Sequence, residues 1–161
     1  MHIREFVEAD WPQVWPLIEE VITAQETFPF DPHWASRDAH DVWVENPPGL
    51  TVVACEDETI LGTAKMGPNR PGPGSHVSTA SFMVAKTARG QGVGKSLAEY
   101  ALVWARERGY AAMQFNAVVE TNHAAVELYR NLGFTVIGTV PEAFEHRTSG
   151  RVGLHVMHCR L

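Results

Sequence analysis

The sequence predicts an α/β (α+β) protein built on a mixed sheet covered by helices. Segments with the two-residue alternation of strands are interleaved with segments of helical periodicity. Antiparallel hairpins flank these central strand and helix units. The 161 residues, 45% hydrophobic and 20% charged, are typical of one globular domain, which we expect to span 1–161.

The amino-terminal third combines one short strand with two helices. Residues 2–7 alternate as a strand does. Asp10 can then cap a helix that extends to about Gln25. Its apolar residues recur at helical spacing: Val14, Leu17, Ile18, Val21 and Ile22. A second predicted helix covers about 34–46 and ends before Pro47, which cannot continue it.

The remaining elements follow from the same two periodicities and from glycines that end helices. In order, they are strands 50–56 and 59–66, a loop, strand 76–85, helix 91–108, strand 111–119, helix 122–132, strand 134–140, a polar loop through Gly150, and strand 151–160.

Charge and hydropathy exclude several classes of protein. The chain has 13 Lys and Arg against 19 Asp and Glu, a formal net charge of −6, which argues against nucleic-acid binding. No apolar run approaches the roughly 18 residues that span a bilayer, and the first residues lack a signal-peptide apolar region. Cys55 and Cys159 are expected to be buried free thiols. We therefore expect a cytoplasmic protein with no membrane partner.

The most informative segment is the glycine-rich loop within residues 84–96, which joins a strand to a helix. Its alternate glycines, Gly90, Gly92 and Gly94, expose successive backbone amides at the start of the helix. Such amides, together with the helix dipole, suit a phosphate group. Three cations flank them: Lys86, Arg89 and Lys95.

Two nucleotide motifs fail on spacing. A P-loop needs four residues between its first glycine and the Gly-Lys-Ser end, whereas only three separate Gly90 from Gly94. The dinucleotide fingerprint fails because Lys95 occupies the position of its last glycine.

Two other motifs resemble those of the GNAT N-acetyltransferase superfamily. The first is Arg-x-x-Gly-x-Gly at Arg89, Gly92 and Gly94; the second is the segment 122–134, where Asn122 begins a helix and a tyrosine follows two turns later. The order of elements also matches that family over the whole chain. The resemblance implies a mixed, largely antiparallel sheet of six or seven strands with about four helices, and acetyl-CoA as cosubstrate.

The resemblance also implies roles for individual residues. The strand before the loop would pair with the pantetheine arm through Phe82, Met83 and Val84, as an added strand would. Pyrophosphate binding is implied for the loop that follows Arg89: Gly90, Gln91, Gly92, Val93, Gly94 and Lys95. In the family the asparagine, here Asn122, contacts the cofactor arm. The tyrosine, here Tyr129, protonates the departing thiolate.

The general base remains open at this stage. Some family members carry a glutamate on the strand after the glycine-loop helix, but residues 116–119 contain no carboxylate. The candidates elsewhere are Glu26, Asp31, Glu120, His76, Glu142 and Glu145. A chain of waters that relays the proton to solvent is equally compatible with the sequence.

Two aromatic and acidic segments are expected to form the acceptor pocket. One contains Glu26, Phe28, Phe30, Asp31 and Trp34; the other contains Phe144, Glu145, His146 and Arg147. Aromatic walls with a few acids suit an ammonium that has an apolar body. No histidine cluster has metal-ligand spacing, so we expect no metal.

These features lead to one functional hypothesis and two alternatives. The chain is predicted to be an acyltransferase that moves the acetyl group of acetyl-CoA to a small-molecule amine, loosely like the acetyltransferases of amino acids and of phosphinothricin. The alternatives are a protein or peptide N-acetyltransferase and a non-catalytic CoA-binding module. Family members are often homodimers, so the resemblance is compatible with a homodimer here, although no sequence feature indicates an interface.

Overall fold

A computed structural model describes all residues, 1–161, as seven strands and four helices. The strands are β1 (His2–Glu5), β2 (Leu50–Glu56), β3 (Thr59–Pro68), β4 (Val77–Val84), β5 (Ala112–Val119), β6 (Thr135–His146) and β7 (Gly150–Arg160). The helices are α1 (Trp11–Ala24), α2 (Ser36–Trp43), α3 (Val93–Glu107) and α4 (His123–Asn131). None of these helices has the length and apolarity needed to cross a membrane.

The strands form a single sheet in the order β1-β2-β3-β4-β5-β7-β6. Every neighbouring pair is antiparallel except β4 and β5, which are parallel. The predicted fold class, a mixed and largely antiparallel sheet with helices, is therefore confirmed.

The sheet separates two layers of helices, and alternation along its strands supplies a core to each layer. Val52 packs in the core that contains α3 and α4. Its neighbour Val53 packs in the core that contains α1 and α2. Side chains of successive strand residues point to opposite faces, so one strand stabilises both layers. The two cysteines, Cys55 and Cys159, are buried free thiols in these two cores.

The parallel pair at the centre of the sheet is short. β4 and β5 are paired only at Val77 with Ala112 and at Ser78 with Met113. Beyond these positions the two strands part, and the pairing of β5 with β7 is interrupted by a register shift between Phe115 and Val118. The sheet is therefore split along its middle, and the gap opens toward the carboxyl end of β4.

Asp10 starts α1 in a different way from the predicted cap. Its side chain makes no capping hydrogen bond to the helix. Both carboxylate oxygens instead accept hydrogen bonds from the Arg4 guanidinium at 2.7 Å, and one also accepts from the Val7 N–H. The hydrogen bonds from Arg4 lower the pKa of Asp10. This bidentate pair ties β1 to the start of α1.

The loop predicted between residue 140 and Gly150 is largely wrong, because β6 continues to His146. Its register against β7 is irregular between Val140 and Phe144, and Glu142 within that stretch has a φ of 52°. β6 is an edge strand, where a proline such as Pro141 removes no essential ladder bond. Proline and acidic residues are uncommon in strands, so their presence here led to the wrong prediction of a loop.

Glu120, the residue after β5, makes two hydrogen bonds to Gly153 of β7 and so extends the pairing of these two strands. Its backbone N–H donates to the Gly153 carbonyl at 3.0 Å, and its carboxylate accepts a hydrogen bond from the Gly153 N–H. A methyl group on Gly153 would lie 2.7 Å from Thr139 Cγ2 and 2.9 Å from Glu120 Oε2. Only glycine fits between these two side chains.

We expect Gly153→Ala to lower the free energy of unfolding by about 1–3 kcal/mol, since the β-branched Thr139 cannot rotate away easily. The matched control is Gly138→Ala, because no atom lies within 4 Å of a Cβ at Gly138. Urea denaturation measures both. Equal losses in the two variants would contradict the close packing at Gly153.

Candidate functional site

The main cavity lies in the gap between β4 and β5 and has a volume of about 630 Å³. Its walls are formed by residues 79–84 of β4, residues 115–119 of β5, the start of α3, the first turns of α4, and residues 27–30 after α1. Most lining residues are hydrophobic, and the only charged ones are Arg89 and Lys95. The cavity is thus cationic at one end and uncharged elsewhere.

The cationic end is the amino terminus of α3. Gly90 and Gly92 have φ values of 74° and 84°, a conformation that glycine adopts without strain. No other atom lies within 4 Å of a Cβ at either position. The first hydrogen bond of the helix runs from the Ser96 N–H to the Gly92 carbonyl. The amides of the first turn before Ser96 therefore have no intrahelical partner and are free for an anion.

The structure brings nearly all of the predicted cofactor-binding residues to this cavity. Those that line it are Phe82, Met83, Val84, Arg89, Gly90, Gly92, Val93, Gly94, Lys95 and Asn122, together with Tyr129. Gln91 does not line the cavity: its backbone N–H donates to the Ala88 carbonyl, and its side-chain amide donates to the Thr87 carbonyl.

β4 presents an unpaired edge to the cavity. Along residues 79–84 it pairs with β3 on one side, while β5 has already diverged on the other. An extended group that carries amides can add to such an edge as a further strand. The slot next to α3 therefore suits a chain with a phosphate at one end and amides along its length.

Asn122 and Tyr129 lie on the wall formed by α4. The Asn122 Oδ1 caps the helix by accepting from the Ala125 N–H at 3.4 Å, which leaves its amide nitrogen available. The Tyr129 ring packs against the rings of Phe115, at a centroid distance of 4.6 Å, and Phe134, at 6.0 Å. Burial among these rings raises the pKa of the Tyr129 phenol. The hydroxyl accordingly stays protonated and can act as a donor.

A second, smaller cavity of about 340 Å³ adjoins the first. The two share Thr27, Asn122 and Ala124. The other lining residues of the smaller cavity are polar: Glu26, Thr121, His123 and His146. The main cavity therefore has a polar side chamber at the junction of the α1–α2 loop, the β5–α4 turn and the β6–β7 hairpin.

The two walls of the side chamber are joined by a backbone hydrogen bond. The Arg147 N–H at the tip of the β6–β7 hairpin donates to the Gln25 carbonyl at 3.1 Å. Gln25 ends α1 in the left-handed conformation, with φ 54° and ψ 42°, which is uncommon for a residue other than glycine. The bond and the turn thus connect the chain next to Glu26 with the chain next to His146, and both residues line the smaller cavity.

His146 has a defined tautomer. Its Nδ1 accepts hydrogen bonds from the backbone N–H groups of Thr148 and Ser149, each at 3.2 Å. An acceptor nitrogen carries no proton, so in the neutral ring the proton is on Nε2. In this neutral form His146 therefore offers the chamber a hydrogen-bond donor.

Most of the predicted base candidates lie elsewhere. Asp31 accepts from the His33 N–H at 2.8 Å, and the His76 Nδ1 lies 3.1 Å from the Pro73 carbonyl. Glu142 and Glu145 of β6 line neither cavity. No group of three or more His, Cys, Asp or Glu side chains is placed to hold a metal ion.

The two predicted acceptor segments contribute unequally. Phe28 and Phe30 line the main cavity. Trp34 lies behind them, with its ring centroid 4.9 Å from that of Phe30. Phe144 is buried in a small separate core. The aromatic wall of the cavity is thus supplied by the α1–α2 loop rather than by the hairpin.

Sequence analysis missed a chain of amides at the edge of the main cavity. The Gln114 side chain donates to Asn116 Oδ1 at 2.8 Å, and Asn116 Nδ2 donates to Asn69 Oδ1 at 2.7 Å. Asn116 lines the cavity, so this chain bridges the gap between the β3–β4 loop and β5. Asn69 and Asn116 are 47 residues apart in the sequence, so no local pattern could predict their contact.

Comparison with known proteins adds a family match. The family described as the acetyltransferase (GNAT) family matches residues 11–134. An N-acetyltransferase from Schizosaccharomyces pombe, aca1, is 33% identical over 97 residues, which cover 60% of this chain and 46% of that protein. The chain thus spans about half the length or less of the curated relatives it matches.

Solved structures share the whole fold. A GCN5-related N-acetyltransferase from Kribbella flavida is 52% identical with a TM-score of 0.96, covering 99% of this chain and 97% of that chain. A ribosomal-protein-alanine N-acetyltransferase from Brucella melitensis is 27% identical with a TM-score of 0.88, covering 100% of both chains. A phosphinothricin acetyltransferase from Sinorhizobium meliloti, in complex with acetyl-CoA, has the same fold at 18% identity and a TM-score of 0.86, covering 99% of this chain and 88% of that chain.

The burial of Tyr129 predicts a loss of stability at alkaline pH. The raised pKa keeps the phenol neutral in the folded protein, whereas the unfolded chain ionises near pH 10. Stability is therefore lost as the pH rises above about 10, by roughly 1 kcal/mol at pH 11 for this one group. Tyr129→Phe should remove that share of the loss, as measured by urea denaturation at pH 8 and pH 11. Parallel losses in both proteins would show that the phenol ionises as freely as in the unfolded chain.

Proposed function

This chain belongs to the acetyltransferase (GNAT) family, as its two motifs predicted, and from that premise we propose that it is an acetyl-CoA-dependent N-acetyltransferase. Its acceptor is the amine of a small molecule, an amino acid or an analogue of one, and residues 1–161 act as a single catalytic domain. The observation that carries the proposal is the split between β4 and β5, which joins a phosphate-binding helix end, an unpaired strand edge and Tyr129 in one cavity.

The chain's own residues fit acetyl-CoA along the length of the main cavity. The free amides of the first turn of α3 hold the pyrophosphate, and Arg89 and Lys95 add positive charge there. The β4 edge at Phe82–Val84 pairs with the pantetheine amides. The Asn122 side-chain amide faces the same arm from α4. When bound, acetyl-CoA supplies the activated acetyl thioester.

The reaction is a direct attack of the amine within a ternary complex. The nitrogen lone pair forms the N–C bond, and the electron pair of the C–S bond goes to sulfur. The Tyr129 hydroxyl donates a hydrogen bond and then its proton to that sulfur, while a backbone N–H of β4 polarises the acetyl carbonyl. The amine enters the site as an ammonium and loses two protons in all. One restores the phenol of Tyr129 after its proton has gone to sulfur, and one is released to solvent.

The acceptor side of the cavity supports a small amine with an apolar body. Phe28 and Phe30 form an aromatic wall, and no charged residue of the main cavity lies at that end. An ammonium can be held over such rings. The likeness at 27% identity to a ribosomal-protein-alanine N-acetyltransferase favours a second candidate, acetylation of the amino terminus of a protein or peptide.

We place the activity in the cytoplasm. Cys55 and Cys159 are free thiols, as is usual for proteins of reducing compartments.

The experiment that tests the proposal is release of free thiol from acetyl-CoA in the presence of a panel of amino acids, polyamines, aminoglycosides and peptides. We expect turnover with small amines that carry an apolar group. Turnover with peptides alone would favour the second candidate. Tight cofactor binding without thiol release for any acceptor would overturn the enzyme proposal.

In the same assay, Tyr129→Phe should lower kcat by roughly 10²–10⁴-fold, because the thiolate loses its proton donor. The affinity for acetyl-CoA should change little, since the ring and its packing are kept. Calorimetry with acetyl-CoA provides that control. An unchanged kcat would remove Tyr129 from the mechanism.

Gly94→Glu should weaken CoA binding by about 10²-fold or more, equivalent to about 2.7 kcal/mol, because its carboxylate enters the space for the pyrophosphate. Gly94→Ala is the matched control: a Cβ there meets Val84 Cγ2 at 3.6 Å and Leu128 Cδ2 at 3.9 Å, which is ordinary contact. Calorimetry measures binding, and circular dichroism checks the fold. Wild-type affinity in the glutamate variant would refute the phosphate site.

A further inference from the structure

We infer that Glu26 is the proton acceptor for the incoming amine, and that the polar side chamber is the path by which this proton leaves. The inference rests on the proposed function. Some family members carry a glutamate on the strand equivalent to β5 that removes the proton from the amine. This chain lacks that glutamate, and the inference assigns the same step to Glu26.

The main cavity contains no group that can take this proton. An alkyl amine has a pKa near 10 and reaches the site as an ammonium at neutral pH. The only charged lining residues, Arg89 and Lys95, are cations at the phosphate end, and no Asp, Glu, His or Cys side chain lines the cavity. A proton acceptor must therefore be reached through an opening of this cavity, and the side chamber adjoins it at Thr27 and Asn122.

The carboxylate closest in sequence to the family's position is already engaged. Glu120 follows β5 directly, but its carboxylate accepts from the Gly153 N–H and replaces a bond of the sheet. Proton uptake there would weaken that bond. Glu120 also lines neither cavity.

Within the side chamber, Glu26 is the only carboxylate. The two other titratable groups are His123 and His146. In the neutral ring of His146 the Nδ1 already accepts from two backbone N–H groups and the Nε2 carries the proton, so His146 presents a donor to the chamber. His123 is the first residue of α4, and a His123→Asn variant tests it as the alternative acceptor.

The carboxylate of Glu26 has no ion-pair partner, while the backbone before it is fixed. It takes part in none of the protein's ion pairs, and it is exposed, so that it can pass a proton on to solvent. The left-handed turn at Gln25 and the bond from Arg147 to the Gln25 carbonyl fix the backbone immediately before it. Thr27 lines both the chamber and the main cavity, so a short water chain along this shared wall can join Glu26 to the acceptor.

The step is a simple proton transfer. The ammonium gives one proton, through water, to the Glu26 carboxylate, which leaves a neutral amine and a carboxylic acid. The acid returns the proton to solvent at the mouth of the chamber. The nitrogen lone pair is then free for the attack described above.

The test is Glu26→Gln, assayed by thiol release with two acceptors of the same shape. Benzylamine is protonated at pH 7, whereas its isostere phenylhydrazine is largely unprotonated. The best acceptor from the panel is assayed as well, at pH 7 and pH 9.5. The controls are Glu20→Gln, an exposed α1 residue outside both cavities, and His123→Asn, which changes the same chamber.

We expect Glu26→Gln to lower kcat/KM for benzylamine by roughly 10–10²-fold at pH 7 and to leave phenylhydrazine nearly unaffected. The loss should shrink at pH 9.5, where the amine loses its proton unaided. Neither control should show this pattern, and acetyl-CoA affinity should be unchanged in all variants.

Other results would overturn the inference. An equal loss for both acceptors at both pH values would mean that Glu26 has a structural or binding role. The proton-dependent pattern in His123→Asn instead would assign the step to His123. Absence of transfer by the wild type to any amine, with acetyl-CoA still bound, would overturn the proposed function itself, which separates that failure from the failure of Glu26 alone.

Discussion

The separation of β4 from β5 is the constraint on which the rest of the molecule depends. Two parallel strands that stop pairing after Ser78 and Met113 leave backbone amides and carbonyls unpaired in the middle of a sheet, a costly arrangement unless a partner fills the gap. Beside the gap, aromatic rings pack in the core that contains α3 and α4, with Phe115 stacked on Phe134 at 4.2 Å and Phe82 edge-on to Phe115 at 5.8 Å. The sheet thus has room beside β4 for one further extended segment.

Each end of this gap has its own chemistry, and the net charge of −6 averages over them. The end at α3 is cationic, the central slot is apolar, and the side chamber is polar with a carboxylate. A polyanionic cosubstrate and a cationic acceptor can therefore meet in one cavity from different directions. Because the cations line the main cavity and the carboxylate of Glu26 lines the side chamber, groups of opposite charge are kept apart.

Much of the secondary structure could be predicted from patterns of residues that are close together in the sequence. Helical spacing located α1 and α3, and the alternate glycines located the turn that starts α3 at one end of the cavity, because both depend on residues close together in sequence. The side chamber could not be found in that way, since Glu26 and His146, which line it, are far apart in the sequence and are brought to one cavity by tertiary contacts such as the bond between Arg147 and Gln25. Glu120 looked like a free acid for the same reason: its partner, the Gly153 N–H, lies on a strand that pairs from the far end of the chain.

The order of strands in the sheet bears on how the protein is made on the ribosome. β6 leaves the ribosome before β7, yet β7 is its only partner and lies between it and β5. Until β7 has emerged, β6 has no strand to pair with and β5 has one bare flank. Pairing that depends on segments distant in sequence is slow and exposes strand edges to other chains. Nascent chains that pause before β7 should therefore be the form of this protein most in need of a chaperone.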